Sequence, residues 1–209
     1  CFYNGAEPLA VLTYYACHPQ SYYGKGEVSC DFAGIAREMR QKEEGVVHIH
    51  FNGAGGNITA GKYNDGSEER RPMLAQRLAE GMKRAWEAVK KTRVAVDTCS
   101  WRVEKVVLPP ATNLDKEELR KTLENPEAEP KQRLSAANHL AWFQRNASGK
   151  RLDVSCLKVG PAYLLHLPGE LFIEYQLAAQ KLKPGRPVYM AAYGDYGPGY
   201  IGTAISYSQ

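Results

Sequence analysis

Three stretches of the sequence place a side chain capable of metal ligation or proton transfer just past an apolar run. In Ala16-Cys17-His18-Pro19-Gln20-Ser21, His18 follows strand-forming residues, and Pro19 keeps the chain extended beyond it. Imidazole on a rigid strand edge is a common way to hold a divalent metal. In Leu165-His166-Leu167-Pro168-Gly169-Glu170-Leu171-Phe172, Glu170 follows a Pro-Gly turn, and the pattern predicts a helix starting near it. A carboxylate in a first helical turn meets free N–H groups and the positive end of the helix dipole, which keeps it ionised and able to ligate. In the segment 194–203, Tyr196 and Tyr200 lie in a loop whose glycines and Pro198 permit a tight path. Taken singly, each reads more simply as ordinary structure: a loop histidine, a helix-start glutamate, corner-turning tyrosines.

Two further motifs invite chemistry less strongly. His48 and His50 alternate on one strand, so both rings share a face and could chelate a metal. No third ligand is near in sequence, and such positions also simply face solvent or a helix. The glycine-rich run from Asn52 to Gly61 lacks GxGxxG, and Gly61-Lys62 is followed by Tyr63, so it is a poor phosphate cradle. It better suits a loop offering Asn57 or Thr59 beside a site.

The elements that must position these groups alternate between strand and helix. Leu9–Cys17 reads as a buried strand and Val46–Phe51 as a second strand, separated by a helix from Asp31, as N-cap, to about Glu44, with Gly45 ending it. The longest helix is expected from about Glu68 to Lys91, and strand material from Val94 to Leu108, stopped by Pro109-Pro110. Leu114–Glu124 and Lys131–Arg145 read as a helical pair, a candidate insertion over residues 113–147. Val154–Val159 and Ala162–Leu167 predict a hairpin about Gly160-Pro161, and Pro187–Tyr193 a last strand. The expected fold is α/β, a layered mixed β-sheet core with flanking helices.

Composition narrows the function classes. A 209-residue chain that is 44% hydrophobic and 24% charged can bury a substantial core. Its net charge of +4 comes from basic residues mixed with Glu along helical stretches, which describes a solvated helix face rather than a nucleic-acid groove. Nothing approaches the roughly 18 apolar residues of a membrane helix. No signal peptide opens the sequence, but it begins with Cys1 and reads as though cut from a longer chain. The five cysteines are scattered without a CxxC, which favours buried free thiols and leaves room for one disulfide, such as Cys17 with Cys30.

Together the three polar segments resemble the catalytic domain of the neutral (non-lysosomal) ceramidase family. Val11-Leu12-Thr13-Tyr14-Tyr15-Ala16-Cys17-His18-Pro19-Gln20-Ser21 resembles that family's strand ending in Ala-x-His-Pro-x-Ser, whose His binds zinc. Leu165 to Leu182 resembles its Pro-Gly-Glu segment, whose Glu ligates zinc, and Tyr200-Ile201-Gly202-Thr203-Ala204-Ile205-Ser206-Tyr207 resembles its Tyr-Ile-x-Thr-x-x-x-Tyr segment, whose first Tyr is the zinc-bound phenol. The three occur in the family's order. The resemblance therefore implies Zn2+ held by His18, Glu170 and Tyr200, and a single ceramidase-like catalytic domain over 1–209, truncated at both ends.

Two departures matter. Where the family carries Gly-Asp-x-Ser-Pro, this chain has Gly56-Asn57-Ile58-Thr59-Ala60, so Thr59 and Asn57 are the implied catalytic-loop groups in place of Ser and Asp. The family's His-x-His-Ser-Gly-Pro motif, source of another zinc His and a proton-shuttling His, is absent from these residues and is expected ahead of Cys1. A further active-site Tyr is expected past the C-terminus. The implied activity is zinc-dependent amide hydrolysis, ceramide to fatty acid and sphingosine, on a small-molecule amide or lipid substrate with transient membrane-surface contact. Alternatives are another amide substrate on the same fold, or a non-catalytic domain. The 209 residues alone are expected to be inactive, and the resemblance implies a secreted or periplasmic setting.

Overall fold

The computed structural model describes residues 1–25, 27–88, 94–195 and 197–207. Two sheets meet edge to edge. The first has strand order β1-β2-β3, with β1 (Phe2–Asn4) antiparallel to β2 (Glu7–Tyr15), and β2 parallel to β3 (Val47–Asn52). Parallel pairing requires a crossover, and α1 (Asp31–Glu44) provides it. Gly45 ends α1 in the left-handed conformation, as the sequence predicts, and its N–H donates to the Gln41 carbonyl.

The helix α2 (Arg70–Ala88) packs on α1. Phe32, Ala33, Leu74 and Ala75 bury against Cys17, and Ala36, Ala79 and Met82 extend the contact. Small residues at helical spacing on both partners allow this close approach. The remainder of the expected helix, residues 89–91, lies outside the described residues.

The second sheet has order β4-β5-β6-β8, formed by β4 (Cys99–Val106), β5 (Leu152–Val159), β6 (Ala162–His166) and β8 (Val188–Ala191). The β5–β6 hairpin turns at Gly160, whose φ of 52° is easy for glycine. Residues 94–98 are irregular, so β4 is shorter than expected. Between β4 and β5 come α3 (Lys116–Glu124), capped by the Asp115 side chain, and α4 (Pro130–Ala147), which buries Ala136 and Leu140.

The sheets join where the Ala192 N–H donates to the Asn52 carbonyl at 2.9 Å and Tyr14 stacks between Phe51 and Tyr189, each 5.0 Å away. Ala54, Leu171 and Met190 bury beneath this seam. The α/β expectation holds, with a mixed sheet core and flanking helices.

Two local expectations give way. Asp31 does not cap α1 from an extended conformation; it adopts φ 52°, and Cys30 precedes the helix. Its carboxylate instead gathers the preceding loop, accepting from Ser21 N–H, Ser21 Oγ, Tyr22 N–H and Phe32 N–H. Glu170 does not open a helix. It forms β7 (Glu170–Leu171), parallel to β9 (Tyr200–Ile201), and α5 (Ile173–Lys181) begins after it. Glu170 therefore lies outside the first turn of α5 and its helix dipole, because strand pairing with a distant segment outcompetes the local turn.

Candidate functional site

The site lies where three strand ends converge. β2 runs out at Tyr15, and the next residues carry the chain beneath the glycine-rich loop, where the His18 N–H donates to the Ile58 carbonyl at 3.0 Å. His18 and Thr59 form a parallel bridge. Glu170 is clamped from both sides: its N–H donates to the Gly199 carbonyl, and the Gly56 N–H donates to the carbonyl of neighbouring Leu171, both at 2.8 Å. Tyr200 is the residue paired with Glu170 in β7–β9.

The side chains follow the backbone together. His18 and Glu170 are 6% and 5% exposed, and His18 Nε2 stands 3.5 Å from Glu170 Oε2. The Tyr200 ring centroid is 6.0 Å from that of His18. Burial, then the negative charge of nearby Glu170, push the Tyr200 phenol above its ordinary range. Tyr200 is 56% exposed, so one side of the cluster opens to solvent. Tyr196 lies outside the described residues.

The donor types suit a zinc ion chemically, and the His18–Glu170 pair suits one in spacing. Imidazole nitrogen, carboxylate oxygen and phenol oxygen are donors zinc accepts, and two ligands about 2.0–2.1 Å from a tetrahedral zinc lie about 3.3 Å apart. The His18–Glu170 separation is close to that edge. Among the described residues no group of three His, Cys, Asp or Glu side chains could hold a metal, so a site here depends on the phenol as third donor.

Glycine makes the convergence possible. A Cβ on Gly56 would stand 2.3 Å from the Glu170 carbonyl oxygen, and one on Gly55 3.0 Å from the Cys17 backbone nitrogen. The run expected to form a site-side loop is thus a tightly packed floor. Asn57 has a structural task within it: its Oδ1 accepts from the Ile173 N–H at 2.9 Å and its Nδ2 donates to Glu174, tying the loop to the start of α5. The Thr59 hydroxyl accepts from the Gly61 N–H at 2.9 Å.

The paired histidines separate. His48 is buried against α1, with Nε2 2.5 Å from a Glu44 carboxylate oxygen, whereas His50 Nδ1 meets Thr13 Oγ1 at 2.9 Å. All five cysteines are free thiols, Cys17 buried and Cys30 exposed. One neighbour was missed from the sequence: Tyr193, whose hydroxyl lies 3.4 Å from His18 Nδ1. Only its place at the end of a predicted strand pointed toward it.

No known family model matches the chain, and no curated protein matches it. Solved structures do. The neutral ceramidase from Pseudomonas aeruginosa superposes with a TM-score of 0.61 at 15% identity, over 93% of this chain and 38% of that one. A ceramidase complexed with C2 superposes with a TM-score of 0.61 at 13% identity, over 95% of this chain and 41% of that one. The chain therefore spans about two-fifths of the length of these neighbours. At such identity the likeness is one of fold, and the fold is ceramidase-like.

Proposed function

We propose that this chain carries most of the metal shell of a zinc-dependent amide hydrolase, acting on an N-acyl lipid of the ceramide type. The observation that carries the reading is the meeting of His18, Glu170 and Tyr200 from three separate strand ends. The ceramidase-like fold supports the same substrate class.

His18 Nε2, a Glu170 oxygen and Tyr200 Oη would hold the zinc. Three protein donors is the ordinary number in a catalytic zinc site, and the resemblance in sequence implies a second His besides. Bound zinc would supply Lewis-acid polarisation of the amide carbonyl and a water acidic enough to attack it near neutral pH. The chain's own residues do the rest. Glu170 brings a negative charge into a buried position, and its strand pairing with Tyr200 keeps the phenol on the same side of the site. The Gly55–Gly56 backbone packs directly against the backbone at Cys17 and Glu170, leaving no room for side chains there. Asn57 holds that floor against α5, and Thr59, bridged to His18, would offer a hydroxyl to substrate or water.

Zinc content of the full-length protein, together with its fatty-acid release from a labelled ceramide set against other N-acyl amides, tests the reading. Zinc uptake with release from a different amide would transfer the activity to another substrate. A protein that takes up no zinc and cleaves none of the panel would leave a binding domain on the same fold.

A further inference from the structure

Tyr193 belongs to none of the three strand ends that supply donors, yet two independent observations single it out. Its hydroxyl lies 3.4 Å from His18 Nδ1, with the two rings edge-on at 73° and centroids 6.2 Å apart. Its backbone has φ 65°, and among the described residues only Asp31 is another non-glycine with positive φ. An aromatic residue is strained there, and such strain persists only where the surroundings enforce it. They do so here: the Tyr193 N–H donates to the Gly169 carbonyl at 3.0 Å, and the Gly194 N–H to the Leu167 carbonyl at 3.1 Å. The segment that leads into Glu170 therefore also fixes Tyr193.

His18 has two ring nitrogens with different surroundings. Nε2 faces Glu170 at 3.5 Å and the Gly56 carbonyl at 3.3 Å, while Nδ1 faces the Tyr193 phenol. A phenol both donates and accepts. When Nε2 carries the proton and donates to Gly56, the Tyr193 hydroxyl can donate to Nδ1. When Nε2 must present its lone pair to a metal, Nδ1–H can donate to the phenol oxygen. A glycine would relieve the backbone but leave Nδ1 without this partner.

We infer that Tyr193 is a positioning residue for His18, seating the imidazole so that Nε2 stays aimed at Glu170 in either tautomer. The effect on metal affinity rests on the zinc reading above, whereas the hydrogen bond is measurable without metal. The test is Tyr193→Phe in the full chain, with 15N-labelled histidine. The metal-free variant is expected to show a displaced His18 Nδ1 resonance and an unfolding midpoint near wild type. Its zinc dissociation constant, from competition with a chromophoric chelator, is expected to rise about tenfold or more. An unmoved Nδ1 resonance overturns the inference outright, and a moved resonance with unchanged zinc affinity overturns the positioning role. If wild type takes up no zinc, the proposed function fails, and the resonance alone decides whether Tyr193 seats the ring.

Discussion

The imidazole of His18 and the carboxylate of Glu170 face each other at 3.5 Å, both more than nine-tenths buried, although one lies near each end of the chain. Two such groups are costly to desolvate unless something charged joins them. A proton on His18 or a cation between the pair would do so, and under the zinc proposal Tyr200, its ring 6.0 Å from that of His18, would be the third donor.

The floor under this pair tolerates no side chain at Gly56. Gly56→Ala places a methyl group 2.3 Å from the Glu170 carbonyl oxygen, so the β7 backbone must move. Denaturant unfolding is expected to show a loss of about 1–3 kcal/mol. Zinc affinity should fall with it, since the moved backbone carries Glu170.

Asn57 and Thr59, both placed in the catalytic loop by resemblance, are expected to separate. Asn57→Ala removes the acceptor at the start of α5 and should cost about 1 kcal/mol of stability. Thr59→Ala should reduce turnover more than zinc affinity, measured side by side. An unchanged rate would remove Thr59 from the mechanism.

Asp31 holds the loop that follows His18. Its buried carboxylate accepts four hydrogen bonds, two of them from Ser21. Asp31→Ala is expected to destabilise the chain by about 3 kcal/mol in urea unfolding. Asp31→Asn keeps a residue tolerant of positive φ and should cost less.

Tyr14 gives a pH signature. Its hydroxyl is buried without a hydrogen-bond partner between Phe51 and Tyr189, and burial, then the charge of Tyr189, push its phenol up to about 12. In the unfolded chain the phenol ionises near 10. Below that pH both states are protonated and nothing is lost. Between about 10 and 12 the unfolded state releases its proton first, so stability falls as pH rises. Tyr14→Phe should flatten this alkaline loss, seen as a smaller drop in Tm, and should be neutral or stabilising at pH 7.

Much of this was legible in the residues. Helical periodicity and Gly45 located α1, and Gly160-Pro161 located the β5–β6 hairpin, because each depends on neighbours in sequence. His18, Glu170 and Tyr200 could be brought together only through resemblance, since their meeting depends on β7–β9 pairing that no local pattern encodes. The same pairing is why Glu170, a helix start by its local Pro-Gly turn, lies in a strand instead. Asp31 and Tyr193 adopt positive φ against their own preference, so propensity pointed away from what they do.

Metal analysis of the purified protein bears most directly on the central claim. The full-length protein is expected to hold one zinc, retained on dialysis and lost in both His18→Ala and Glu170→Ala while their circular dichroism stays native. A folded protein that holds no zinc as purified, and takes none up on reconstitution, would contradict it.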